Sequence, residues 1–348
     1  MKNKYVFKTA CSRFFFAPIN TGFNNGNTPS NRLIKFHKER SGKGIGVSYV
    51  GNVAIDTGFK TNENTLTIMS NQTKWHELAS VISKNNSIPG IQLGCKLPQL
   101  ESTRKWIAPK GEGQLNTYRQ FITNLKPSDI DFIFSKFISA TTLAMDYGFK
   151  VVQIHAAHGY FLSLLMNKSI NKRTDKYSYK NTGSIPELLN TLKNTSDNIT
   201  LDIRISCIDG LTSEEVEWHN RKRQLSEFES AGADIISLSA GLYDFSRKLI
   251  YPNKTVDKNV YLKFAEDFAK DSNIIINVAG NLWDLEDLDS TYSNITFGIG
   301  RALIADPYFI EKYMSGHIDD INNCVHGGHC HYFTRGKDSL SCKVNSNI

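Results

Sequence analysis

The sequence predicts a single α/β domain folded as a (β/α)8 TIM barrel. Eight short apolar runs, most of them rich in β-branched residues, alternate with longer stretches of helical periodicity. Such alternation implies parallel strands joined by helical crossovers, and eight units can close on themselves. Side chains capable of chemistry gather at the ends of these runs, where a barrel of this type keeps its site. An open doubly wound sheet is the competing architecture. It usually begins with a glycine-rich phosphate loop at the first strand. The glycine-rich segment GKGIG at 42–46 leads instead into the second run, so it reads as a turn.

The strand runs are 14–19, 44–50, 89–93, 151–155, 201–206, 234–239, 274–278 and 295–299. Helical periodicity covers 33–41, 74–84, 128–145, 213–230 and 259–269. Thr212 and Glu215 have capping-box spacing at the start of the fourth helix. Residues 98–128 read as an irregular excursion after the third strand, and WIAPKG at 106–111 as a cover over the site. No internal repeat or low-complexity linker is visible. The barrel is expected over 1–315, with a Cys/His-rich extension over 316–348 packed on it.

Bulk properties narrow the function. The chain has 348 residues, 40% hydrophobic and 22% charged, which suits an ordinary globular protein. A net charge of +7 favours phosphate-bearing ligands. The lysines and arginines are not clustered with stacking aromatics, so no nucleic-acid surface is expected; RKR at 221–223 reads as a solvated helix face. No run reaches the roughly 18 to 20 apolar residues that a bilayer span needs. The first residues, MKNKYVFK, lack an apolar signal core. A cytoplasmic location without membrane attachment is the expectation. Six cysteines in a chain of this length do not make a disulfide framework. A homo-oligomer is compatible with the sequence, but no interface signal is readable.

The segment VVQIHAAHGY at 151–160 places His155, His158 and Tyr160 at the exit of the fourth strand. Two imidazoles can polarise a carbonyl, and a phenol can deliver a proton. NKRTD follows at 171–175. Together these resemble the Old Yellow Enzyme family of FMN-dependent ene-reductases, whose wording is close to IHAAHGYLL followed by NKRTDEYGG. The resemblance implies a cycle in which NAD(P)H reduces FMN, leaves, and is replaced by an α,β-unsaturated carbonyl compound. It implies that His155 and His158 bind the carbonyl oxygen while flavin hydride reaches Cβ, and that Tyr160 protonates Cα. Hydride attack creates an enolate, and one preset donor at that oxygen typically contributes about 3 kcal/mol. A tyrosine with its ordinary pKa of about 10 remains an acid at neutral pH.

Other strand ends carry further parts of the resemblance. FGIGRALIADP at 297–307 is similar to the family's VGRPLLADP, which implies that Gly300 and Arg301 bind the FMN phosphate. Backbone N–H groups after the seventh and eighth strands, a short helix start and a bidentate arginine suit that anion. Gly280, in VAGN at 278–281, stands where a Gly-Gly pair is usual and would let the phosphate approach. Gln92, in GIQL at 90–93, is implied at the pyrimidine edge of the flavin, since its amide both donates and accepts. It is followed by Gly94, Cys95 and Lys96 where relatives carry His-x-Gly-Arg. Arg204 is implied near flavin N1 and O2, where a cation stabilises the reduced anion. Ala17, Pro18, Ile19 and Asn20 would run under the flavin, Asn20 standing where relatives carry Thr or Cys that tunes the potential. VGNVAID at 50–56 is similar to GNVxVD and places Gly51 near the isoalloxazine. The resemblance spans about 10–315 and seven of the eight strand ends. The sixth, SLSAG at 237–241, is compatible but less diagnostic.

The tail, CVHGGHCH at 324–331 with Cys342, holds three of the nine histidines and three of the six cysteines. Larger relatives, of the dienoyl-CoA reductase and trimethylamine dehydrogenase types, hold a [4Fe–4S] cluster just after the barrel. Cys324, Cys330 and Cys342 match three of its ligand positions, and Gly327 stands where the second thiolate belongs. The tail reads as a relic packed on the barrel, as a Cys/His zinc site, or as a partial cluster. Two alternatives to alkene reduction also stand: an oxidative desaturase or demethylase, and a flavin-based redox sensor. The altered wall after Gln92, Asn20, and the absence of Gly-Gly after Tyr177 point to a specialised substrate.

Overall fold

The computed structural model describes residues 13–100, 111–181, 183–253, 255, 257–285, 288 and 292–348. Eight strands form a closed, wholly parallel barrel: β1 (Phe14–Phe16), β2 (Ile45–Ala54), β3 (Ile88–Gly94), β4 (Val151–Ala156), β5 (Thr200–Ser206), β6 (Ile235–Ser239), β7 (Ile275–Val278) and β8 (Ile295–Ile299). β1 pairs with both β2 and β8, which closes the ring. The architecture is the (β/α)8 barrel read from the sequence, with each strand where the apolar runs place it. β1 is shorter than expected because the chain leaves the ladder after Phe16, keeping one bond from Ala17 N to Ile299 O (3.0 Å). β2 is longer: its pairing with β3 shifts between Val50 and Val53 and then resumes, as a bulge allows.

The strands are buried on both faces, as a covered parallel sheet requires. Phe15, Val47, Tyr49, Val151 and Ile235 fill the barrel interior. A larger apolar layer lies between the strands and the outer helices. Above the interior apolar layer sits a polar one. Gln92 Nε2 donates to Gln153 Oε1 (2.7 Å), and Gln153 Nε2 donates to Asp202 Oδ2 (2.5 Å) and Ser237 Oγ (2.9 Å). Tyr49 OH also donates to Asp202 Oδ2 (2.7 Å). This bonded layer is the floor on which the strand-end site rests.

The helices correct three sequence expectations. The helix Glu214–Ser230 is preceded by Ser213, not by a Thr212–Glu215 box. Glu217 instead accepts the backbone N–H groups of Asp209, Gly210, Leu211 and Thr212 at 2.7–2.9 Å, because a carboxylate one turn in reaches the whole preceding loop. The span 98–128 is not all irregular, since Glu112–Asn124 is a helix burying Leu115, Tyr118 and Ile122. Its apolar residues have helical spacing, but Gly113, Asn116 and Thr117 dilute the signal. Ser184–Lys193 is also a helix, with Pro186 in its first turn, where proline is tolerated. Residues 106–110 of the expected cover lie outside the described residues. Gly42, Lys43 and Gly44, all at positive φ, form the expected turn into β2, which already includes Ile45 and Gly46. Among the described residues, no helix is long and apolar enough to cross a membrane.

Candidate active site

Strand register decides which side chains meet. β3, β4 and β5 pair Gln92 with Gln153 and Gln153 with Asp202, and two residues further along they pair His155 with Arg204. With a period of two, these residues share the inner face and rise toward the C-terminal ends. There a cavity of about 250 Å³ opens, lined by His155, His158, Tyr160, Arg204, Gln92 and Arg301 among others. Ala17, Pro18, Ile19, Asn20, Gly280 and Gly300 also border it. Gly51 does not. It stands behind the wall, where a Cβ would meet Gln92 Cβ at 2.8 Å and Pro18 Cβ at 3.3 Å.

The His155, His158 and Tyr160 rings are gathered by a tight turn after β4. His155 lies 4.1 Å from Tyr160 and 5.1 Å from His158, centroid to centroid. His158 takes a left-handed backbone (φ 61°), which costs about 1–3 kcal/mol outside glycine. That conformation is held by His158 N–H donating to Ser206 Oγ (3.2 Å) and by Tyr243 N–H donating to the His158 carbonyl (3.3 Å). One ring nitrogen of His158 is bonded to Ser239 Oγ (2.8 Å), leaving the other for a ligand. Burial and then the Arg204 charge hold His155 well below the ordinary imidazole range. Burial, His155 and Arg204 do the same for His158. Both are therefore neutral at pH 7, and each offers one N–H. Burial, and then Tyr243, push the Tyr160 phenol far above its ordinary value, so it remains a proton donor. The departure at Gly94, Cys95 and Lys96 supports this turn from behind: Phe161 N–H donates to the Cys95 carbonyl (2.9 Å). A Cβ on Gly94 would crowd Asn52 Nδ2 at 3.2 Å and touch the Tyr160 ring at 3.4 Å.

The cationic side chains fit a flavin mononucleotide. Arg204 is buried and bonds Ser239 Oγ (3.3 Å), but its Nε has no hydrogen-bond partner. An orphaned buried donor costs about 1–3 kcal/mol, so an acceptor belongs there. Asp202 lies two residues below in the same strand, without a direct ion pair to Arg204 among the described residues. Arg301 reaches His326 Nδ1 (3.1 Å) and Asn281 Oδ1 (3.2 Å), and no carboxylate pairs with it among the described residues. A partly buried guanidinium without an acid calls for an anion. Beside it, a Cβ on Gly300 would meet nothing closer than 3.9 Å, so that backbone is open to a ligand. The helix after β8, Arg301–Ala305, is only 5 residues long, and the phosphate reading therefore rests on Arg301. Gly280 borders the cavity with its backbone, but its missing Cβ is required by the ring of Tyr261. Gln92 spends one amide N–H on Gln153 and keeps its oxygen and second N–H for a ligand.

The far wall joins residues of the Cys/His tail to aromatic residues that the sequence reading did not single out. After β6, Tyr243, Arg247 and Tyr251 line the cavity, and the Tyr243 and Tyr251 hydroxyls are 2.5 Å apart. The tail contributes Cys324, His326, Cys330, His331 and Tyr332. The His331 ring packs on Tyr251 at 3.8 Å between centroids. Tyr332 OH donates to Asn20 Oδ1 (3.0 Å), and Asn20 Nδ2 donates to Thr65 Oγ1 (2.9 Å), so the side chain expected to tune the flavin is also a tether for the tail. Leu340 is fully buried, and its N–H donates to the Thr21 carbonyl (2.7 Å). Cys324, Cys330 and Cys342 are free thiols, and Cys342 lies off the cavity wall. Among the described residues, no three His, Cys, Asp or Glu side chains are grouped to hold a metal.

Comparison with known proteins settles the lineage. The sequence model of the NADH:flavin oxidoreductase / NADH oxidase family matches residues 7–320. The chain belongs to this family. The family is described as one of NADH:flavin oxidoreductases and NADH oxidases. An NADH oxidase of Thermoanaerobacter brockii is 25% identical over 336 residues, covering 90% of this chain and 50% of that protein. The chain thus spans about half the length of that relative. A 2-naphthoyl-CoA reductase solved with 2-naphthoyl-CoA shares the fold, with a TM-score of 0.81 at 19% identity over 97% of this chain and 55% of the other. Old Yellow Enzyme from Pichia sp. AKU4542 also shares it, with a TM-score of 0.66 at 15% identity, covering 87% and 83%.

Proposed function

We propose that this chain uses FMN and NAD(P)H to reduce the C=C bond of an α,β-unsaturated carbonyl compound. The observation that carries the reading is the convergence of two neutral histidines and one protonated tyrosine on a cavity that also holds Arg204. Arg301, Arg204 and Gln92 would hold the cofactor, at its phosphate and at its pyrimidine edge. Bound there, FMN would supply the hydride that it takes from NAD(P)H.

The protein's own groups do the remaining work. His155 and His158 bind the carbonyl oxygen, where charge builds as the alkene is reduced. Neutral N–H donors preset in a buried site need no reorganisation as that charge appears. Tyr160, whose ring lies 4.1 Å from that of His155, can reach the same small substrate and protonate Cα. The rings of Tyr251, His331 and Tyr332 border the cavity, those of Tyr251 and His331 tilted by 58° to one another, and give it an aromatic wall that suits a conjugated acceptor.

The test is the visible spectrum of FMN-loaded protein under anaerobic conditions. NADH or NADPH should bleach the flavin bands, and 2-cyclohexenone should restore them. A flavin that bleaches but is not restored by any enone would sink the alkene-reduction reading. One that no nicotinamide reduces would sink the NAD(P)H cycle.

A further inference from the structure

We propose that Thr61 is the positioning residue through which the buried Tyr160 hydroxyl exchanges its proton with solvent. The inference rests on the reading of Tyr160 as the proton donor. Each turnover would leave Tyr160 as a phenolate that must regain a proton, and its side chain is only 3% exposed. Its hydroxyl is hydrogen-bonded to Thr61 Oγ1 at 2.7 Å, the less buried of these two residues on the cavity wall. Thr61 lies in the loop after β2, beyond the 3-10 turn Thr57–Phe59, and is partly exposed where Tyr160 is not.

The local bonding makes this hydroxyl pair reversible. Asn52 Nδ2 donates to Thr61 Oγ1 (3.1 Å), which anchors the threonine from the barrel side. Thr61 then keeps one proton to give and one lone pair to receive. At rest Tyr160 donates to Thr61. Once Tyr160 has given its proton to carbon, Thr61 donates in the other direction. In one concerted shift Thr61 passes its hydroxyl proton to the phenolate and takes a proton from water at its exposed side. The hydroxide left behind is neutralised in bulk solvent, and Thr61 ends unchanged.

The experiment reads Tyr160 hydroxyl exchange directly. FMN-loaded protein carrying 13Cζ-tyrosine is measured in mixed H2O/D2O, where the isotope shift on Cζ reports the exchange rate. Tyr160→Phe assigns the signal. Thr61→Val should slow exchange by on the order of tenfold or more, and Thr61→Ser should restore it. Exchange at the parent rate in Thr61→Val would overturn the inference, as would a Thr61→Ser variant as slow as Thr61→Val. The same Tyr160→Phe protein tests the underlying reading separately. If it is re-oxidised by 2-cyclohexenone as fast as the parent, Tyr160 is not the donor, whatever the exchange rates show.

Discussion

The floor and the far wall of the cavity come from opposite kinds of sequence. The floor and its reactive groups lie on barrel strands or just after them, and each is announced by a short motif: Gln92 on β3, His155 and His158 at β4, Arg204 on β5, Arg301 after β8. The wall is built by contacts between residues far apart in the chain. Tyr332 meets Asn20 across 312 positions. Barrel register sets the floor atom by atom. The wall depends on burying a few tail side chains, so it can change without disturbing the floor.

The largest expected effect falls on the floor. His158→Ala should lower the rate of enone re-oxidation by roughly 10²–10³-fold, the usual cost of one oxyanion donor. Flavin affinity should change little, since Arg301 is untouched. Stopped-flow absorbance of the oxidative half-reaction checks this; an unchanged rate would remove His158 from carbonyl binding.

Next comes the wall. Leu340→Ala empties a fully buried site and should cost about 2–5 kcal/mol of stability. Calorimetry should show the loss in a single transition together with weaker FMN binding. A barrel transition unmoved by the substitution would mean that the tail is an independent attachment and does not help to build the cavity.

A smaller effect depends on pH. His331 is held down at about 4, by burial first and then by Arg301, Arg247 and Arg335. The unfolded imidazole, with a pKa of about 6.5, takes a proton before the folded one does. Stability is therefore full above about pH 6.5 and is lost as the pH falls from there toward 4. By about pH 5, His331 should account for roughly 2 kcal/mol of that loss. Asp202 and Asp209, pushed up to about 6 by burial, gain protons in the folded state and act in the opposite sense. The informative quantity is thus a difference: between about pH 7 and about pH 5, the melting temperature of His331→Gln should fall less than that of the parent. Equal falls would mean that His331 is not buried against Tyr251.

These contrasts follow what was legible in the sequence. The eight strands were readable because parallel strands buried on both faces must be apolar along their length. His155, His158 and Tyr160 were readable because they share one turn. The capping box at Thr212 misled because Glu217, two residues beyond Glu215, captures the loop instead. Gly280 was noticed for its place at the cavity, and Tyr261 supplies a packing reason for its missing Cβ that the sequence did not show. The roles of Tyr243, Tyr251, Tyr332 and Thr61 were not legible. Each depends on a partner brought near only by barrel closure, and no spacing rule encodes that.

The most direct test of the central claim, that the strand-end cluster carries the proton step, is Tyr160→Phe in anaerobic stopped flow. The phenylalanine keeps the ring against His155 and removes only the hydroxyl. Reduction of bound FMN by NADH or NADPH should proceed at the parent rate, while re-oxidation by 2-cyclohexenone should slow by roughly 10²-fold or more. Equal rates in both half-reactions would contradict the assignment of Tyr160 as the acid.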